Sequence, residues 1–274
     1  MGKLIKGELM REAHFKDWYG GNCENVNRLI RYFNHILEQH AEPRKLEQVL
    51  KLSPVALISP HAGWAYGGFT ANFGYRILAN GKKNKKRVVV IGPSHRYPIE
   101  GVSITLEEEY ETPCGPLFTD RLFNLELMEK FDIKNLEYLH TEHSTEVQMP
   151  FIKHYLNLPI VELIYGEVSP KELASIIRYS LEKDSLVVIS SDLSHYYPLK
   201  IANKLDYFCL EGVADLNLEL LQKCEACGKK GIEGMVITAK KIHLTPIVVD
   251  YRTSADVNGD KNQVVGYMSA IFLR

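Results

Sequence analysis

Long apolar runs are missing from this chain. The longest, such as Val88–Ile91 and Leu186–Ile189, have four residues, where about 20 are needed to span a bilayer, so no membrane segment is expected. The amino-terminal Met1-Gly2-Lys3-Leu4-Ile5-Lys6 lacks the apolar core of a secretory signal. An excess of charge of one sign is missing too: 33 basic residues face 34 acidic ones. The resulting net charge of -1 supplies no global field to attract nucleic acid or an anionic membrane, and neither partner is expected. The five cysteines are odd in number and widely spread, which together with the amino terminus points to a reducing cytoplasm. There is no linker, low-complexity tract or fixed-period repeat, so residues 1–274 read as one domain.

What is present suits a large core: 274 residues with 45% hydrophobic and 24% charged content. Short runs rich in Val and Ile predict strands at Val55–Ser59, Arg87–Ile91, Val102–Leu106, Ile160–Ile164, Leu186–Ser190, Ile247–Tyr251 and Val265–Phe272. Several are continuously apolar, as strands covered on both faces should be. Between them, apolar residues spaced by three and four predict helices at Val26–Gln39, Gly67–Leu78, Asp120–Lys130, Glu146–Leu156, Pro170–Lys183, Ala202–Leu221 and Ile232–Ile242. Ser169-Pro170-Lys171-Glu172 adds a cap, a proline suited to the first helical position and an early acid. Strands alternating with helices imply an α/β fold built on a mixed, largely parallel sheet flanked by helices. The basic run Lys82–Arg87 has no interleaved aromatics and reads as a solvated loop ahead of a buried strand.

Three predicted strands end alike, in a small or turn residue and then a histidine: Ser59-Pro60-His61, Gly92-Pro93-Ser94-His95 and Ser190-Ser191-Asp192-Leu193-Ser194-His195. In open α/β sheets the loops leaving the carboxyl ends of strands form the ligand crevice. Three separate segments should therefore deliver His61, His95, Asp192 and His195 to one rim. Glu142-His143-Ser144-Thr145-Glu146 opens a helix, with Ser144 or Thr145 available as cap and Glu146 suited to the positive end of the dipole. That account leaves His143 unexplained and assigns it to the pocket; Glu146 is divided evenly between pocket and helix. Cys224-Glu225-Ala226-Cys227 has the spacing of half a zinc ribbon without its second half, and of a dithiol motif without the thioredoxin-like setting. Taken alone, Cys227 is an incidental thiol. His14, His35, His40, His140, His154 and His243 lack a strand-end setting and are assigned to surface or packing, although Trp18-Tyr19 after His14 could line a pocket.

These residues carry a resemblance. Arg11-Glu12-Ala13 with Trp18-Tyr19, Pro60-His61-Ala62-Gly63 with Tyr66 and Gly68, Gly92-Pro93-Ser94-His95, Tyr110 with Thr112-Pro113 and Gly115, Glu142-His143-Ser144 with Glu146, and Ser190-Ser191-Asp192 with His195 together resemble the Memo family, also called AmmeMemoRadiSam system protein B. The resemblance implies a fold like that of the class III extradiol dioxygenases. It also implies a metal held by His61, His95 and Cys227, with Asp192, His195 and His143 nearby, a functional link to radical SAM proteins and, in animal relatives, docking to phosphorylated receptor tails. Ring-cleaving enzymes of that fold hold iron with two histidines and a carboxylate, whereas a thiolate favours softer or more redox-active ions. The expectation is a redox or oxygen-dependent protein with iron(II) at His61, His95 and Cys227, copper or zinc being the alternatives. His195 and Asp192 would serve as an acid/base pair, His143 as an orienting or protonating group, and the ligand would be a small molecule or peptide. A non-enzymatic binding module using the same crevice and a metal-assisted hydrolase are the competing readings.

Overall fold

The computed structural model describes residues 10–274; the amino-terminal stretch Met1–Lys6 read above lies outside them. Every predicted strand is present. The central sheet is built from β1 (Ala56–Ser59), β2 (Arg87–Pro93), β3 (Val102–Ile104), β4 (Ile160–Tyr165), β5 (Ser185–Ser190), β6 (His195–Tyr197), β7 (Thr245–Thr253) and β8 (Val264–Leu273). Their order is β7-β8-β1-β5-β2-β4-β3, with β6 paired to β8 off this path. The middle of the sheet, β1-β5-β2-β4, is parallel, and β3, β6, β7 and β8 pair antiparallel.

Alternation along the parallel strands feeds two cores. Ile58, Val89, Ile91, Leu163, Val187 and Ile189 face one side of the sheet, while Leu57, Val88, Val90, Ile160, Leu186 and Val188 face the other. The first side is covered by α4 (Pro170–Glu182), α5 (Leu199–Ala214) and α6 (Lys229–Ile242); the second by α1 (Cys23–His40) and α2 (Gly68–Leu78). The carboxyl-end loops of β1, β2 and β5 consequently emerge side by side, because these strands run parallel in neighbouring positions.

Two predicted helices are interrupted for local reasons. The stretch 202–221 breaks where Leu216 takes a left-handed φ of 52°, and the Asn217 side chain caps a new helix, Leu218–Gln222, by accepting from the Glu219 and Leu220 amides. The stretch 146–156 divides into α3 (His143–Glu146) and a helix at Met149–Tyr155, whose Pro150 sits in the first turn where a missing N–H costs nothing. The Ser169–Glu172 capping box forms as expected, with Ser169 Oγ 3.2 Å from the Glu172 amide and Glu172 Oε2 3.0 Å from the Ser169 amide. The run Lys82–Lys86 is mostly exposed, whereas Arg87 is buried against Asp120 and Phe123. A small sheet of Met10–Arg11, Glu109–Tyr110 and Leu117–Phe118 has no counterpart in the sequence reading.

Four of the five cysteines are paired, as Cys23–Cys114 and Cys209–Cys224, leaving Cys227 free. Cys224 is therefore neither half of a zinc ribbon nor of a dithiol with Cys227. The pairing also removes cysteine count as an argument for compartment, since disulfides mark oxidising environments and the intracellular proteins of hyperthermophiles alike. No helix among the described residues is long and apolar enough to cross a membrane.

Candidate metal centre

The β1 loop turns at Pro60 and buries His61, whose amide donates to Asp192 Oδ1 at 2.8 Å. His61 Nδ1 lies 3.0 Å from Ser190 Oγ. That hydroxyl donates its proton to the Ser144 carbonyl and accepts from Gln148 Nε2 at 2.9 Å. Its remaining lone pair can only accept, so His61 meets it with Nδ1–H. The Nε2 lone pair of His61 is thereby left facing the Cys227 sulfur, 3.2 Å away.

His95 arrives from the end of β2. Gly92 makes this approach feasible, because a Cβ there would lie 2.6 Å from Ser144 Oγ and 2.9 Å from Thr145 Cγ2; α3 could not then pack beside the strand end. His143, the first residue of α3, sets its ring 4.6 Å from that of His95, tilted by 33°, and 5.4 Å from that of His61, edge to face, centroid to centroid. Cys227 sits in the loop before α6, where its amide donates to the Asp192 carbonyl at 3.3 Å and its sulfur accepts from the Asp192 amide at 3.3 Å. Gly228 permits this loop to lie on the β5 end: a Cβ there would be 2.6 Å from Ser191 Cβ.

One ligating atom each from His61, His95 and Cys227 falls within 4.8 Å of the others, close enough to hold one metal ion. Donor atoms bound at the usual zinc distances stand roughly 3.5 Å apart at tetrahedral angles, near the 3.2 Å from His61 Nε2 to Cys227 Sγ. Beside this trio lies a cavity of about 420 Å³ bordered by His61, His95, His143, Asp192 and His195, with Trp18, Tyr196, Val265 and Tyr267 as its apolar walls.

Burial shapes the titration of these groups. It holds His61 well below the ordinary imidazole range, helped by repulsion from His95 and His143. The Cys227 thiol is pushed up to about 12 by burial and by Asp192. Burial also raises Asp192, against the lowering effect of the amide bonds it accepts from His61 and Ala62.

The structure thus brings His61, His95, Cys227, His143, Asp192 and His195 to one rim. Asp192 and His195 do not hydrogen-bond to each other; Asp192 Oδ1 instead fastens the β1 loop through the amides of His61 and Ala62, at 2.8 and 3.2 Å. Glu146 stays out of the cavity. It accepts from Arg11, Tyr19 and the amides of His14 and Phe15, which pins the segment that carries Trp18. The α3 cap is Glu142 rather than Ser144 or Thr145. Glu142 is also the residue to which sequence reasoning gave no role; its signal was its place in the Glu142-His143-Ser144 motif. Trp18 was legible as part of an aromatic pair, whereas Tyr196, Val265 and Tyr267 reach the cavity only through the pairing of β6 with β8.

The profile of the Memo-like protein family matches residues 11–271, which includes every motif lining the rim. A MEMO1 family protein of Aquifex aeolicus is 35% identical over 81% of this chain and 87% of its own length. Relatives of the same description from Metallosphaera sedula and Sulfurisphaera tokodaii are 32% and 30% identical, over 96% and 93% of this chain and 98% and 96% of their own lengths. A match across the whole α/β fold and its strand-end histidines leads to one assignment: the chain belongs to the Memo family.

Proposed function

We propose that this protein is a metal-dependent redox protein acting on a small molecule held beside a His61–His95–Cys227 centre. The observation that carries the reading is the convergence of two imidazole nitrogens and one free thiol within 4.8 Å, at the edge of a cavity with further ionisable groups. The donor set suits a soft or borderline ion. Iron(II) is the proposed occupant, with copper as the nearest alternative and zinc as the third; iron or copper would supply one-electron redox chemistry, zinc Lewis acidity.

The chain's own residues divide the remaining work. Asp192 keeps Oδ2 free of loop amides and can accept a proton or hydrogen bond from a ligand in the cavity. His195, at the start of β6, and His143, on α3, face the same space and serve as proton donors or acceptors. Trp18, Tyr196, Val265 and Tyr267 offer ring and aliphatic surface for an apolar body to lie against. At about 420 Å³ the cavity fits a small molecule rather than a folded partner. Cytoplasmic location belongs to the same proposal, with the two disulfides persisting there as they do in intracellular proteins of hyperthermophiles while Cys227 stays a free thiol.

The test is the metal content of protein purified without a histidine tag, followed by anomalous diffraction at the iron, copper and zinc edges. Near-stoichiometric iron on His61, His95 and Cys227 is expected. Protein that binds none of the three metals would instead be a ligand-binding module.

A further inference from the structure

Glu142 sets one buried carboxylate against two imidazoles. Its Oε1 lies 3.1 Å from His95 Nδ1 and 2.8 Å from His143 Nδ1, and it also accepts from the Ser144 amide at 3.2 Å. Its Oε2 accepts from the His95 amide at 2.7 Å. The side chain is 1% exposed. An ionised carboxylate only accepts hydrogen bonds, so a neutral imidazole can meet it only as the Nδ1–H tautomer. Each ring then has one nitrogen left, Nε2, with its lone pair directed away from Glu142.

His95, Glu142 and His143 are close enough together to be considered as cation ligands themselves. The hydrogen-bonding pattern argues otherwise. Two of the four donors on Glu142 are backbone amides fixed by the β2 loop and by α3, and these cannot be withdrawn to free the carboxylate for a metal.

We propose that Glu142 is a positioning residue serving two histidines at once: it locks His95 and His143 as Nδ1–H tautomers, aiming His95 Nε2 at the metal position and His143 Nε2 at the cavity beside it. The metal half of this statement rests on the reading of His95 as a ligand; the tautomer half does not. The arrangement complements His61, whose Nδ1–H is fixed by Ser190. Three rings from three segments therefore present the same nitrogen to one space. Metal-binding histidines generally donate their second N–H to such a carboxylate, and loss of it typically costs 10–100-fold in affinity.

The decisive measurement is ¹⁵N NMR of histidine-labelled, metal-free protein above the imidazole titration range. Parent protein should show His95 and His143 as Nδ1–H. In Glu142→Gln one of the two accepting oxygens becomes an NH₂ that only donates, so the Nδ1–H preference of His95 and His143 is expected to weaken and Nε2–H forms to appear. Zinc(II) affinity, read by chelator competition, should fall about 10–100-fold in that variant and be partly restored in Glu142→Asp. The proposal is overturned by Nε2–H forms in the parent, or by a folded Gln variant with unchanged tautomers and parental zinc affinity. If the Gln variant does not fold, the parent tautomers alone decide. A parent that binds no zinc, iron or copper removes the metal reading but leaves the tautomer result standing.

Discussion

Two histidine–carboxylate clusters lie a short way apart in this molecule, and only one resembles a site. In the first, His140 is held at both ring nitrogens, by Glu162 at 2.6 Å and by Ser103 at 3.0 Å. Glu162 in turn accepts from Thr145 and faces Arg11, which is paired with Glu146 at 2.5 Å. In the second, His95 and His143 are held at Nδ1 by Glu142 and His61 at Nδ1 by Ser190, and the other nitrogen of His61 meets only the thiol of Cys227, at 3.2 Å. Burial alone does not sort the rings, since His61 is as buried as His140, at 2% and 3% exposed, while His143 is half-buried and His95 exposed. Spare valence does. A histidine with both nitrogens held by fixed groups is part of the scaffold; one whose second nitrogen meets open space or a thiol that can itself become a ligand is equipped for binding or proton transfer.

Exchanging the damage between the clusters should therefore exchange the phenotype. The largest effect is expected for His61→Ala or Cys227→Ser, which should abolish tight metal binding while the protein still folds, as read by metal analysis and circular dichroism. His140→Ala should do the reverse: it removes one hydrogen-bond partner of buried Glu162, leaving Thr145, Tyr110 and Arg11, at a cost of about 1–3 kcal/mol in urea unfolding, and keeps metal affinity near the parental value. If His140→Ala loses metal as completely as His61→Ala, the distinction by spare valence is wrong. Between these extremes lies Cys224→Ser. It opens the Cys209–Cys224 disulfide, which spans 15 residues, at an expected cost of about 3 kcal/mol in oxidised protein, yet it removes no metal donor.

Much of this comparison was legible in the residues. The apolar strands were visible because both faces of β1, β2, β4 and β5 are covered, and the common endings of β1, β2 and β5 in histidine marked the rim in the sequence itself. The division of labour among the acids was not legible. Glu142 and Glu146 lie four residues apart on one short segment, but Glu142 turns toward His95 and His143 while Glu146 turns toward Arg11 and Tyr19. That choice is made by the packing of α3 between β2 and the Arg11 segment, which no local pattern encodes. Cys227 is a similar case: its loop has no periodicity, and only the family resemblance pointed to it. The Cys209–Cys224 pairing depends on α5 packing near the loop that follows it, a tertiary fact invisible to spacing.

The pH dependence sharpens the contrast further. With the thiol of metal-free Cys227 raised to about 12, the protein carries a protonated sulfur throughout the neutral range, and binding must displace that proton. His61 is held neutral by burial and so contributes no proton there. Metal affinity should consequently rise about tenfold for each pH unit across the neutral range and level off only as the thiol itself ionises. A flat profile would mean that Cys227 is not the third donor.

The smallest expected change in metal content belongs to His195→Ala. His195 lies at the start of β6, in register with Val265 of β8, and borders the cavity without joining the His61–His95–Cys227 trio. Its loop is fastened independently, because the neighbouring Ser194 amide donates to the buried Asp206 at 2.9 Å. Removing the imidazole therefore takes away a cavity-facing acid or base and leaves the donors and their supports in place. Bound metal should stay near the parental level, while any reaction found for the parent loses the 10²–10⁴-fold that a positioned acid or base typically contributes. Loss of metal equal to that of His61→Ala would make His195 a ligand, and full retention of both metal and activity would reduce it to part of the wall.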